Sequence, residues 1–272
     1  MNPDFGTKHI IGLVWLLSLI AIALTVLLII KKKKNLGEKF DRAVIRYTCY
    51  FMWAWEIVKS IVMINSNHLY DGVVGAYGPI GYYPLWMAPF HICSMGLYAY
   101  LIIGSKHPGK LAEWVTPFAY ALLMVVTSII LIIPGSAGLL GTPEDWSFCY
   151  DNILPYQTWL YHGSLLFVSL YMALSGFYKP KFMDIPKATI VLCTVAVIAQ
   201  ALNAILVDSN ADFMTLKYGN GNPFAFLLYS DTPILYYIVL MAICIGGMSA
   251  VISATMGIRA LVSKIKESKK AA

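Results

Sequence analysis

Apolar stretches long enough to cross a lipid bilayer recur from one end of the chain to the other, and no other feature limits its fold as much. A helix rises about 1.5 Å per residue, so about 20 apolar residues match a hydrocarbon core roughly 30 Å thick. The first run, residues 9–30, carries no charge after His9 and would reach about 33 Å as a helix. It has no small-residue cleavage site before Lys31, so we read it as a span and not a signal segment. Six further runs lie at 44–64, 84–104, 115–133, 159–178, 188–207 and 233–258, with Tyr, Trp, Pro and Gly at their ends as interfaces and turns require. Composition agrees. Of 272 residues, 59% are hydrophobic and 12% charged, where a soluble domain carries about a quarter charged. A soluble enzyme, a disordered chain and a disulfide scaffold are excluded. The expected fold is all-α: one domain, a polytopic membrane bundle of seven transmembrane helices without internal repeat, followed by a basic tail at 259–272.

The basic residues give an orientation. All 20 lysines and arginines except Lys8, Lys59 and Lys217 fall in the first, third and fifth connections, their flanks, or the tail. Positive charge collects on the cytoplasmic side, which puts the N-terminus outside and the C-terminus in the cytoplasm. The net charge of +6 therefore reads as a topology signal, and no nucleic-acid partner is expected. The opposite connections hold Asp71, Glu144, Asp145, Asp151, Asp208, Asp212 and Asp231, most simply a solvated acidic surface. Cys49, Cys93, Cys149, Cys193 and Cys244 have neither CxxC nor zinc spacing, and only Cys149 lies in a connection, so no disulfide is expected.

Ionisable groups within a span are costly and normally face the bundle interior. With the orientation above, Glu56 and Lys59 fall in the outer half of span two, His91, Cys93 and Ser94 in that of span three, and Thr127 and Ser128 in that of span four. Tyr161 and His162 enter with span five, and Gln200 and Asn203 close span six. Five helices thus bring polar groups to one level, which suggests a cavity there. Plainer roles exist as well. Glu56 and Lys59, at i, i+3, suit a local ion pair, and Asn203 with Gln200 suits hydrogen bonding between helices. His91 and Cys93 point about 200° apart on a regular helix, so they share a cavity only if Pro89 breaks it. Three catalytic arrangements remain open: Cys93 as nucleophile with His162 as base, His91 with His162 as an acid–base pair, or Ser94 beside His91. No GxSxG, HExxH or metal-ligand spacing occurs, and no cofactor is implied.

The segment Pro84-Leu-Trp-Met-Ala-Pro-Phe-His-Ile-Cys-Ser94 resembles the Pro-x-His-x-Cys signature of YwaF-like bacterial integral membrane proteins. Asp212-Phe-Met-Thr-Leu216, Pro223 and Asp231-Thr-Pro-Ile-Leu-Tyr236 resemble a later block of that family, with Asp212 where the family has Asn. The resemblance implies kinship with eukaryotic membrane acyltransferases of phospholipid remodelling, which use a cysteine and a histidine. More distantly it implies kinship with androgen-induced hydrolases of fatty-acid esters. His162 would match the histidine. The eukaryotic cysteine directly precedes the span-three histidine, a position held here by Phe90, with Cys93 one turn on. The resulting expectation is an acyl-lipid transferase or ester hydrolase, multi-pass in a bacterial cytoplasmic membrane. It would take membrane lipids or acyl esters, with His91, Cys93 and His162 catalytic and Glu56, Ser94, Tyr161, Gln200, Asn203 and Asp212 binding substrate. A transporter or receptor for a small solute or lipid, and a non-catalytic scaffold, are the competing readings.

Overall fold

The computed structural model describes residues 4–33, 36–65, 88–132, 154–205 and 233–271. Seven helices occur among them: α1 (Asp4–Lys32), α2 (Gly37–Asn65), α3 (Met95–Ile103), α4 (Lys110–Ile132), α5 (Leu154–Ser175), α6 (Asp184–Ile205) and α7 (Pro233–Ala271). Three of the described stretches, Lys110–Ser128, Asp184–Ile205 and Leu235–Lys270, are long and apolar enough to cross a membrane. Helix α4 lies at the centre, packed against α3, α5, α6 and α7, while α5 joins α1 and α2 to it. Phe118, Ala119, Tyr120, Ala121, Leu122 and Leu123 are consecutive and all buried, so α4 is enclosed on every side over that turn and a half.

The third run departs from the expectation. A helix over all of 84–104 does not form. Among the described residues of that run, Ala88 to Ser94 pass through bends and turns, and helix begins only at Met95. Pro89 supplies no N–H and disfavours helical backbone at the residue before it. The Phe90 amide donates to Ala88 O at 2.7 Å, a turn too tight for helix, and the Gly96 and Leu97 amides then donate to Cys93 O and Ser94 O as the helix starts. The nine residues of α3 cover about 14 Å, half the hydrocarbon thickness. The regular-helix geometry that sets His91 and Cys93 about 200° apart therefore does not apply here.

The seventh run is longer than expected. Its helix does not stop at Ile258 but continues through the basic tail to Ala271, 39 residues in all. Beyond Gly257 the segment contains neither glycine nor proline, and Lys, Arg, Ala, Leu and Glu, all good helix formers, make up most of it.

One end of the bundle is tied by charge. Lys33, at the end of α1, contacts the buried Asp41 of α2 at 2.5 Å and donates to Ser175 O at 3.2 Å. Tyr171 of α5 donates to the same carboxylate at 2.5 Å. Arg42 and Arg46 of α2 donate to Ile103 O and Gly104 O at 2.6 and 3.1 Å, satisfying carbonyls that the C-terminus of α3 leaves without a helical partner. Gly104 lets α2 approach this closely: a Cβ there would lie 2.8 Å from Tyr100 O and 2.9 Å from Arg46 Cα, both backbone atoms that cannot step aside. Gly104→Ala should therefore cost about 1–3 kcal/mol through overpacking. Gly109→Ala, which meets nothing within 4 Å, is the control. Thermal unfolding of the two variants in detergent checks this.

Candidate functional site

At the opposite end of the bundle, the last turns of α2, the irregular entry to α3 and the first turns of α5 come together. Trp53, Glu56 and Lys59 follow one another at intervals of three on α2 and so share a face. Glu56 and Lys59 are buried and form the i, i+3 ion pair that their spacing suggested. Gln157, in the first turn of α5, donates from Nε2 to Glu56 Oε2 at 3.3 Å. Each charge thus has a partner inside the protein, which burial of ions demands.

The turns before α3 bring Cys93 and Ser94 against this pair. Both are buried, as is Tyr161 of α5. The Tyr161 hydroxyl reaches Cys93 O at 3.5 Å. Lys59 is close enough to act electrostatically on the Cys93 thiol, and Glu56 on the hydroxyls of Tyr161 and Tyr98. An aromatic wall adjoins them: Phe90 stacks on Tyr98 with centroids 6.2 Å apart, and Trp53 meets Tyr98 edge-on at 5.8 Å. Leu165, one turn further along α5 from Tyr161, sits where a Cβ of Gly96 would stand, which seats α5 directly on the start of α3.

His162, also buried, has a defined tautomer. Its Nδ1 lies 2.7 Å from Thr158 O. A carbonyl oxygen only accepts, so Nδ1 carries the hydrogen and Nε2 keeps a free lone pair. That Nε2 is buried and has no hydrogen-bond partner among the described residues.

Of the residues selected from sequence, Glu56, Cys93, Ser94 and Tyr161 form one cluster, with His162 next to Tyr161 on α5. His91 lies partly exposed at the bend ahead of Cys93, and Asn203 is buried on α6. Gln200 points out of the bundle, for it is exposed while Asn203 is not. Thr127 of α4 is buried and returns its hydroxyl to Leu123 O at 2.5 Å, which satisfies it locally. Asp212 lies outside the described residues, as do Asp71, Glu144, Asp145, Asp151, Asp208, Asp231 and Cys149. Gln157 and Trp53 were not selected. Gln157 stands one turn before Tyr161 and Trp53 one turn before Glu56, and that spacing is the signal that points to them. Among the described residues no group of three or more His, Cys, Asp or Glu could hold a metal ion. Cys49, Cys93, Cys193 and Cys244 are free thiols.

The model of the TMEM164 family, a family of membrane proteins, matches residues 5–251. No match was found among curated proteins or solved structures.

The ion pair allows a test of how the cluster is held. Glu56→Ala leaves Lys59 buried opposite a void and should cost about 3–5 kcal/mol. Replacing both residues with leucine removes the stranded charge and should restore most of that loss. Thermal unfolding of the single and double variants in detergent measures the difference.

Proposed function

The chain belongs to the TMEM164 family and is an integral membrane protein, and on that footing we propose that it is an acyl-lipid enzyme, a transferase or an ester hydrolase, whose site is the buried cluster between α2, α3 and α5. The reading takes seven spans with the N-terminus outside and the C-terminus in the cytoplasm, in a bacterial cytoplasmic membrane. The cluster then lies in the outer half of the bilayer, within reach of the ester groups of outer-leaflet lipids. Kinship with YwaF-like proteins and with cysteine–histidine acyltransferases is part of the proposal and rests on the motif Pro89-Phe90-His91-Ile92-Cys93.

The observation that carries it is the lone pair of His162 Nε2, fixed by the bond from Nδ1 to Thr158 O and left unpaired in a buried site. A buried imidazole whose accepting nitrogen meets no protein donor is suited to take a proton from a substrate or a nucleophile. In the proposed cycle, Cys93 Sγ bonds to the acyl carbon of a lipid ester as its proton passes to Nε2. The tetrahedral adduct collapses, the acyl C–O bond breaks, and the departing alkoxide takes that proton from Nε2. The thioester is then cleaved by a hydroxyl of a second lipid, or by water, whose proton moves through Nε2 to the Cys93 thiolate. Lys59 supports the thiolate electrostatically. Glu56, Ser94, Tyr161, Asn203 and Asp212 bind the polar part of the substrate, and His91 stands by to polarise the ester.

Treatment of the full-length protein in nanodiscs with a reactive acyl-ester probe tests this. Cys93 should be acylated. Cys93→Ser should abolish the modification, and His162→Ala should slow it by about 10²–10⁴-fold, the usual contribution of a general base. Acylation at Cys93 that is unaltered in His162→Ala refutes the pairing. No acylation at all, combined with flux of a lipid or solute, favours a transporter using the same cavity.

A further inference from the structure

Trp53 takes no part in the cycle above, yet its indole N–H is buried and has no hydrogen-bond acceptor among the described residues. Indole nitrogen only donates, and a buried tryptophan normally finds a partner for it. We propose that this partner is the substrate: Trp53 Nε1 donates to the carbonyl oxygen of the acyl group held over Cys93 and to the oxyanion formed from it. The inference rests on the acyl-lipid reading and adds to it a residue that touches the reacting atoms.

Three observations support the assignment. The first is position. Trp53 lies on the α2 face that carries Glu56 and meets Tyr98 edge-on. Tyr98 stacks on Phe90, and these two aromatics flank Cys93 and Ser94 in the chain, three residues before the cysteine and four after the serine. The indole therefore adjoins the aromatic pair that brackets Cys93 and Ser94 in the chain. The second is complementarity. The addition step needs an acceptor for the thiol proton and a donor for the carbonyl oxygen, and His162 Nε2 offers the first and Trp53 Nε1 the second. The third is elimination. Three nearby donors already have partners: Gln157 and Lys59 with Glu56, and the Tyr161 hydroxyl with Cys93 O. A donor fixed in a water-poor, aromatic setting needs no reorganisation when charge develops on the oxygen, which is where such donors are most effective.

Two probes with different chemistry separate this role from packing. An acyl ester modifies Cys93 through a tetrahedral oxyanion. Iodoacetamide modifies the same thiol by displacement of iodide and forms none. In Trp53→Phe, which keeps an aromatic ring and loses the N–H, acylation should slow about 10–100-fold. Alkylation should stay within about twofold, which also reports an intact fold around the thiol. Equal slowing of both reactions, or no change in either, overturns the role of Trp53 and leaves the Cys93–His162 pairing standing. A wild-type protein that is alkylated but never acylated overturns the acyl-lipid reading, and the donor role with it.

Discussion

A peptide group in hydrocarbon has no water to bond, so a chain can leave helical structure there only where other protein groups take up the loss. This one constraint orders the bundle. Helices α2, α4, α5, α6 and α7 satisfy their backbones internally through much of their length. Among the described residues of the third apolar run, the stretch from Ala88 to Ser94 departs from helix, where Pro89 ends the pattern and short turns replace it. There the polar side chains collect. Tyr161 reaches the carbonyl of Cys93, and Gln157 with Lys59 balances Glu56. The broken backbone and the polar cluster are two aspects of one solution, because each supplies partners that the other requires.

The two ends of the bundle settle their polar groups differently. At the end where α1 and α5 finish, Lys33, Asp41, Tyr171 and the carbonyl of Ser175 close a compact set of contacts, and Arg42 and Arg46 take the carbonyls at the end of α3. Another set joins the far side: Tyr178 donates to Asp184 at 2.9 Å, Arg259 to Tyr178 O at 3.4 Å, and Tyr120 pairs with Thr255 at 2.6 Å. These contacts hold helices together. At the end where α2 finishes, two buried ring nitrogens, one a donor and one an acceptor, are left over. Such groups lower stability unless something else binds them, and that asymmetry is why the proposed site is assigned to this end.

How much of this could be read from sequence depended on which physical signal each residue carried. Apolar length located the helices, since burial in lipid requires it, and the spacing of Glu56 and Lys59 anticipated their ion pair. Length alone could not show where helix gives way inside an apolar run. In 84–104 the deciding residue was Pro89, which the run-length criterion ignores. Helix α7 continues past the seventh apolar run because charge closes a membrane span but does not stop a helix. Gln200 was assigned inward because it is polar, yet α6 is apolar on most of its surface and offers no stripe that tells one face from another. Asn203, less than one turn away, is the one that is buried. Trp53 was passed over because tryptophan counts as apolar in every such survey, although its nitrogen is polar. The tautomer of His162 depends on a carbonyl one turn back, and only coordinates supply that distance.

The 39 residues of α7 form a rod about 58 Å long, nearly twice the hydrocarbon thickness. Its last turns stand clear of the other helices with every side chain from Ala260 to Lys270 exposed. A reporter dye attached near Ala271 would be held on a stiff post about 20 Å beyond Ile258 instead of on a loose string. Energy transfer from such a dye to the lipid surface would then read the tilt of α7 directly, giving a gauge of how the bundle leans in its bilayer.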